Sequence, residues 1–538
     1  MPSFPSQVGA RNLVREPLDP YGFEMDTLSG KASAMAYADP PLVPLYTALL
    51  LRLFGEKEIA FHLGFIAFPL IAAISLYHLS KRFVPYPTFT TLIVVSTPTF
   101  MVNSHLIMQD IPLMAFFLLA LLLYIKGSEK NKGSLLAAAA IFAGMAFLIK
   151  YNGLLVVLLM ILYSLIIGKP KHLKYLGITL VIIAAFFIHN LYYYVSIHLF
   201  TSLSLWIVGS KGIANGLISW LKTVTALFIA NLNYIGGATI FFPFLLWPFA
   251  KNKKNKFALI ACSLISLVIS IALFFISLGF VSGQYTLLQL TLFFIFVASG
   301  LFIIWVILFD NRNQISKFIY SLRNLKFDKM GKNEKPAIFL LIWFAVVFVF
   351  NFTIAGGSTR YNTLLLAPFA MLLILNAAKY FRAADLKNYL KTVTATTLLL
   401  GLALAFSDYQ YMETYRKIPD IIPSAHSEGK VFFLGHEGFK YYMEKNGGIF
   451  LNSYEGKVDA GDIIIVAPLA SPAITEPIKS RLNNPNLIEF NTLFPVRILN
   501  ADAHAGFYKY GAGFLPFSIS NAPIEKFEVY TVGEEFIK

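Results

Sequence analysis

The sequence predicts an all-α polytopic membrane protein of about twelve spans, followed by a soluble C-terminal α/β domain. Three observations predict it. Of 538 residues, 57% are apolar and only 14% charged, against about 45–50% and about 25% in ordinary soluble domains. Apolar runs of about 20 residues, enough to cross a hydrocarbon core roughly 30 Å thick, recur along most of the chain. The net charge of +15 falls largely in short loops between those runs. The spans must be helical, because lipid offers backbone N–H and C=O groups no hydrogen-bond partner.

Taken in order, residues 1–57 are moderately polar and read as an outer loop with amphipathic helices. The transmembrane domain covers 58–407. Its first clear span, 58–80, ends at Ser80-Lys81-Arg82 and therefore runs from outside to inside. Spans at 86–106 and 110–126 lead out and back, and 134–149 with 152–168 forms a hairpin whose outer turn holds Lys150-Tyr151-Asn152. Residues 173–190 exit, and 190–230, with Trp206 and Trp220, read as an outer segment carrying interfacial helices. Further spans are expected at 231–250, 257–279, 285–309, 336–355, 361–378 and 391–407.

Basic clusters at Lys126 to Lys132, Lys169 to Lys174, Lys251 to Lys256, Arg312 to Lys335 and Lys379 to Lys391 mark the cytoplasmic loops. They account for the positive charge, and no basic stripe interleaved with aromatics remains for nucleic acid. Cys262, the one cysteine, lies in an apolar run and rules out an internal disulfide or a cysteine metal site. From residue 408 to 538 the composition turns soluble, and sidedness makes this domain extracytoplasmic. Lys430 to Leu434 and Asp462 to Val466 read as strands, and Gly438 to Lys445 as a short amphipathic helix.

Ionisable residues gather at the outer membrane face: Asp39, His105, Asp110, Lys150, His189 and Arg360. Asp110 precedes Ile111-Pro112 and Asp39 precedes Pro40-Pro41. Each fits a helix N-cap, and each equally fits a base that removes a proton from an acceptor hydroxyl. Lys150 and Arg360 fit snorkelling side chains. They also fit an anion site, since both stand outside against the positive-inside bias. Arg360-Tyr361 follows Gly356-Gly357-Ser358-Thr359, where backbone can approach a ligand, and a guanidinium there can grip phosphate bidentately. His189, beside Asn190 and three tyrosines, reads as an interfacial hydrogen-bonded side chain or a metal ligand.

The order Asp39-Pro-Pro-Leu, Gln109-Asp110-Ile-Pro-Leu, Ile149-Lys150-Tyr-Asn-Gly153 and Thr359-Arg360-Tyr361 resembles the dolichyl-phosphate-mannose-protein mannosyltransferase-like superfamily. These are polyprenyl-phosphate-sugar-dependent glycosyltransferases of the GT-C fold, and they include the aminoarabinose transferases that modify lipid A. The resemblance implies a multi-pass protein of the cell membrane that takes a polyprenyl-phosphate-linked sugar donor and a protein, glycan or lipid acceptor. It implies inverting transfer on the extracytoplasmic face. Asp110 and Asp39 then fall at catalytic positions, and Lys150 and Arg360 near the donor phosphate, with Tyr361 and His105 as further substrate-binding candidates. Asp39 and, less firmly, His189 correspond to positions that approach a divalent metal in some relatives. The resemblance also leads to the expectation that an upstream first span precedes the sequence given. A transporter or flippase of a lipid-linked or anionic solute is the competing class. The scarcity of charge inside the spans disfavours it, because solute and ion sites lie near the bilayer midplane.

Overall fold

The structure, a computed structural model, describes residues 4–27, 30–34, 39–195, 217–240, 249, 253–275, 285–324, 331, 334–353, 357–422, 429–472, 474, 478, 482 and 484–537. The expected interfacial stretch around Trp206 lies outside them. The chain is mostly helical. Among the described residues seven helices are long and apolar enough to cross a membrane, and five further apolar helices are shorter.

Helix α1 (Phe4–Arg15) lies on α2 (Leu42–Phe54), with the antiparallel hairpin β1 (Glu24–Thr27) and β2 (Gly30–Ser33) between them in sequence. Next come α3 (Glu58–Phe65) and α4 (Ala67–Phe83), which together span 26 residues. The span expected over 86–106 is two helices, α5 (Pro87–Ser96) and α6 (Pro98–Ser104). They part at Thr97, whose hydroxyl accepts from the Phe100 N–H at 3.2 Å and caps the second, while Pro98 takes the first helical position. Helices α7 (Asp110–Lys130), α8 (Gly133–Ile149), α9 (Leu154–Ile167) and α10 (Leu176–Tyr194) follow.

The later helices are α11 (Leu217–Gly237), α12 (Lys253–Phe275), α13 (Leu287–Asp310), α14 (Arg312–Arg323), α15 (Lys335–Thr353), α16 (Thr363–Ala377) and α17 (Ala383–Ile421). The long basic loop between α13 and α15 thus contains a helix of its own. Phe117, Tyr124, Phe339, Trp343 and Phe369 fill the centre of the bundle, where α7 and α16 are apolar on all sides, as enclosed helices are. On α10 and α12, by contrast, Leu180, Val181, Ile188, Leu264 and Val268 point outward. A large apolar surface of that kind on long helices suits lipid.

Helix α17 does not stop at the expected domain boundary of 407/408. Its 39 residues reach about 58 Å at 1.5 Å per residue, well beyond the hydrocarbon core. The C-terminal end enters the C-terminal domain, where Tyr411, Tyr415 and Ile418 pack with Phe433, Phe439 and Phe527. That domain holds a five-stranded sheet built from β3 (Val431–Leu434), β4 (Ile449–Phe450), β5 (Ile463–Val466), β6 (Asn486–Phe490) and β7 (Glu525–Thr531). The order is β4-β3-β5-β7-β6. The two runs read as strands, β3 and β5, pair in parallel with Phe432 opposite Ile464, and β7 joins β5 antiparallel. All four residues of β5 are buried, which explains its unbroken apolar run. Helix α18 (Glu437–Lys445) follows β3.

Candidate active site

Asp110 is the first residue of α7, and the helix has no side-chain cap. Nor is Asp39 a cap, since α2 begins two residues beyond Pro40 with Pro41 in the cap position. Neither carboxylate therefore has the structural role that its sequence setting allowed.

Asp110 pairs with Lys150. The ammonium lies 3.0 Å from Oδ1, and the two side chains are 4% and 15% exposed. Lys150 is aimed there by a break in the backbone: it leaves α8 in an extended conformation before the single 3-10 turn Tyr151–Gly153. That turn folds so closely onto the end of α8 that a Cβ at residue 153 would sit 2.3 Å from the Ala146 carbonyl, so glycine is required. Burial works against the charge on Lys150, yet Asp110, Asp39 and Tyr361 outweigh it and hold the ammonium's pKa above its ordinary value. Asp39 shares the same field. Burial raises its pKa most, Asp110 adds to the rise, and Lys150 and Arg360 oppose it.

Arg360 completes the group. It lies in the 3-10 turn Thr359–Asn362, with its guanidinium 5.3 Å and the Lys150 ammonium 5.0 Å from the Tyr361 ring centre. Its Nη1 lies 3.8 Å from the Met108 sulfur. Its Nε is buried and has no hydrogen-bond partner among the described residues. A buried guanidinium nitrogen with an unmet hydrogen is costly, and the group's donor geometry suits a phosphate or carboxylate.

The turn that carries Arg360 is held by the C-terminal domain. The Phe507 carbonyl accepts from the N–H and hydroxyl of Thr359, both at 3.0 Å, and from the Ser358 hydroxyl at 3.3 Å. The Tyr510 N–H donates to the Gly357 carbonyl at 2.9 Å, and the Tyr234 hydroxyl on α11 bridges the Gly357 and Gly506 carbonyls. A Cβ on Gly357 would meet the Tyr510 ring at 2.5 Å. From the same domain Glu437 acts electrostatically on Arg360. Glu437 has a positive φ of 55°, a strained conformation for a residue with a side chain.

His105 stands apart from the Asp110–Lys150 pair. Its Nε2 lies 2.7 Å from Asp408, and its Nδ1 3.2 Å from the Met101 carbonyl. The Tyr508 hydroxyl donates to the other Asp408 oxygen at 2.6 Å, so α6, α17 and the C-terminal domain are joined through one fully buried carboxylate. His189 also sits elsewhere, with Nε2 2.8 Å from the Leu18 carbonyl and its ring stacked on Tyr193. No hydrogen bond or ion pair joins His189 to Asp39 among the described residues. Nor do three or more His, Cys, Asp or Glu side chains gather among them as a metal site.

Asp408, Glu437, Phe507 and Tyr508 escaped the sequence reading. Each acts through a partner more than 70 residues away in the chain, and no local pattern announces such a contact.

Residues 38–193 match the family model described as dolichyl-phosphate-mannose-protein mannosyltransferase, a stretch that contains Asp39, His105, Asp110, Lys150 and His189. The resemblance drawn from the sequence is confirmed over that stretch. The match covers under a third of the chain and includes several of the apolar helices long enough to cross a membrane. No curated protein matches the chain. Among solved structures the chain is similar to ArnT from Cupriavidus metallidurans bound to undecaprenyl phosphate, at 13% identity and a TM-score of 0.36, covering 86% of this chain and 88% of that one. It is also similar to the archaeal oligosaccharyltransferase AglB from Archaeoglobus fulgidus in complex with an inhibitory peptide and a dolichol-phosphate, at 12% identity and a TM-score of 0.43, covering 87% of this chain and 65% of that one.

Proposed function

We propose that this protein moves a sugar from a polyprenyl-phosphate carrier to an acceptor hydroxyl on the extracytoplasmic face, with inversion at the anomeric carbon. The observation that carries this reading is the cluster of Arg360, Lys150 and Tyr361 against Asp110 and Asp39. It joins an unmet, buried guanidinium donor to an ammonium held in place by a carboxylate.

In this reading Lys150 and Arg360 hold the carrier phosphate. Negative charge grows on that phosphate as its bond to the sugar breaks, and fixed cations in a low-dielectric setting stabilise it. Asp39 takes the proton from the acceptor oxygen, which attacks the opposite face of an oxocarbenium-like sugar. Its raised pKa suits a general base better than that of an ordinary carboxylate. Asp110 fixes the Lys150 ammonium and the local charge.

The test is purified protein in lipid with polyprenyl-phosphate sugars, measuring release or transfer of sugar. Asp39→Asn is expected to lower turnover at least about 100-fold, and Lys150→Ala or Arg360→Ala to cut it comparably while weakening donor binding. Undiminished turnover in Asp39→Asn would remove the proposed base.

A further inference from the structure

A cleft of about 450 Å³ opens at the His105-Leu106 turn, within the roughly 300–1,000 Å³ typical of small-ligand sites. Its walls come from four places: the first turns of α3, the His105-Leu106 turn, the outer part of α17, and Tyr442 on α18. Leu106 lies four residues before Asp110 and two before Met108, whose sulfur touches Arg360. One short stretch of chain thus links the lining of the cleft to the residues of the proposed transfer site.

The polar groups in the cleft are already matched against one another. Glu58 accepts from Arg416 Nη2 and from the Tyr442 hydroxyl, each at 3.1 Å, and His62 lies 3.6 Å away. Arg416 also donates to Glu413 at 3.1 Å and to the Tyr442 oxygen at 3.2 Å. With two carboxylates against one guanidinium and two imidazoles, the lining has no large net charge for a phosphate or a polycation to seek. It offers donors and acceptors side by side instead. That arrangement suits a hydroxyl, which donates and accepts at once. Between the polar groups the ring of Tyr409, 58% exposed, gives an apolar face against which the C–H face of a sugar ring can lie.

We infer that this cleft is the acceptor subsite and that the acceptor is a neutral, hydroxyl-rich saccharide. The inference rests on the transfer reading above and adds the acceptor's chemistry to it. Half the cleft belongs to the membrane helices and half to α17 and the C-terminal domain. The soluble domain thus forms part of the acceptor site.

The experiment uses the full chain in lipid nanodiscs with a polyprenyl-phosphate sugar. It compares neutral di- and trisaccharides with Ser/Thr peptides as acceptors, and measures saccharide binding separately by saturation-transfer NMR. The expected result is saturation transfer to the saccharides and glycosylation of them in preference to peptides. Tyr409→Ala, on an exposed side chain, should raise the saccharide KM about tenfold with a smaller effect on kcat, and Arg416→Ala should abolish the NMR signal. Donor cleavage by water or transfer to peptide, with no saccharide bound or glycosylated, would overturn the acceptor assignment and leave the transfer reading standing. An unmoved saccharide KM in Tyr409→Ala would overturn it too. Absence of donor cleavage under every condition would bring down both.

Discussion

The two carboxylates of the candidate site lie in opposite electrostatic situations, and this can be measured. Asp110 neutralises an almost buried ammonium, so Asp110→Asn leaves Lys150 without its nearest counter-charge and is expected to lower the Tm. Breaking a buried pair by removing one partner costs roughly 3–5 kcal/mol, here reduced by the nearby field of Asp39. Asp39 is the reverse case. Its pKa is higher in the folded protein than in the unfolded chain, so it favours folding only while protonated, and that contribution is lost as pH rises through the folded pKa. Asp39→Asn is therefore expected to raise the Tm at neutral pH, with the gain disappearing in acid below the ordinary carboxylate range. Thermal shifts of like sign for the two variants at pH 7 would contradict this picture. Wild-type turnover should also fall on its acidic side at a pH above the usual carboxylate range. A second residue of this kind lies in the C-terminal domain. Burial pushes Glu525 up to about 8, although the Lys526 N–H and the Tyr415 hydroxyl each bond to it at 3.1 Å. Stability should fall between about pH 4.5 and 8, where the unfolded chain has shed this proton and the folded protein keeps it. Glu525→Gln should flatten that slope in a series of melts across pH.

At the level of elements, the turn at Gly357–Thr359 depends on the hairpin at 505–510. The Tyr234 hydroxyl donates to carbonyls on both, so Tyr234→Phe takes a donor from the Gly506 carbonyl and leaves the Gly357 carbonyl only the Tyr510 N–H, at a cost of about 1–3 kcal/mol. Gly357→Val sets a branched side chain against the Tyr510 ring and should part the two segments. In both variants donor KM should rise while the fold persists, because the segments that separate position Arg360 and leave Asp39 and Lys150 in place. Limited proteolysis should cut the domain faster in Gly357→Val. Equal donor KM in wild type and both variants would show that the docking contributes nothing to the site. Helix α17 couples the same parts mechanically. One helix begins at Ala383 and carries Tyr415 inside the domain core, so bundle and domain share an element.

For the molecule as a whole, the charge pattern predicts that the α7–α8 turn and the sheet domain lie on opposite sides of the membrane. With the lone cysteine removed by Cys262→Ser, Asn131→Cys and Glu534→Cys place single thiols at exposed positions on the two ends. A membrane-impermeant maleimide should label Glu534→Cys in intact cells and Asn131→Cys only after lysis. Labelling of both from outside would overturn the assigned sidedness.

What the sequence alone determined is the class of fold and the residues gathered on one face, because both follow from properties that are local in the chain. Apolar run length, loop charge, and Pro or Gly at helix ends are local signals, and they marked Asp39, Asp110, Lys150 and Arg360 before any coordinates. The helix boundaries were less legible. Thr97-Pro98 divides one expected span, and α17 runs through an expected domain boundary, since tertiary packing rather than composition ends or prolongs a helix. Only the tertiary structure decided which polar residues meet. It paired Asp110 with Lys150 and left the Arg360 Nε without a hydrogen-bond partner among the described residues. It turned His105 towards Asp408 and His189 towards the Leu18 carbonyl, and it fastened the Arg360 turn to Phe507, 148 residues away. The physical reason is range: periodicity and charge bias act over a few residues, whereas an ion pair or a docked hairpin is fixed by how distant helices pack.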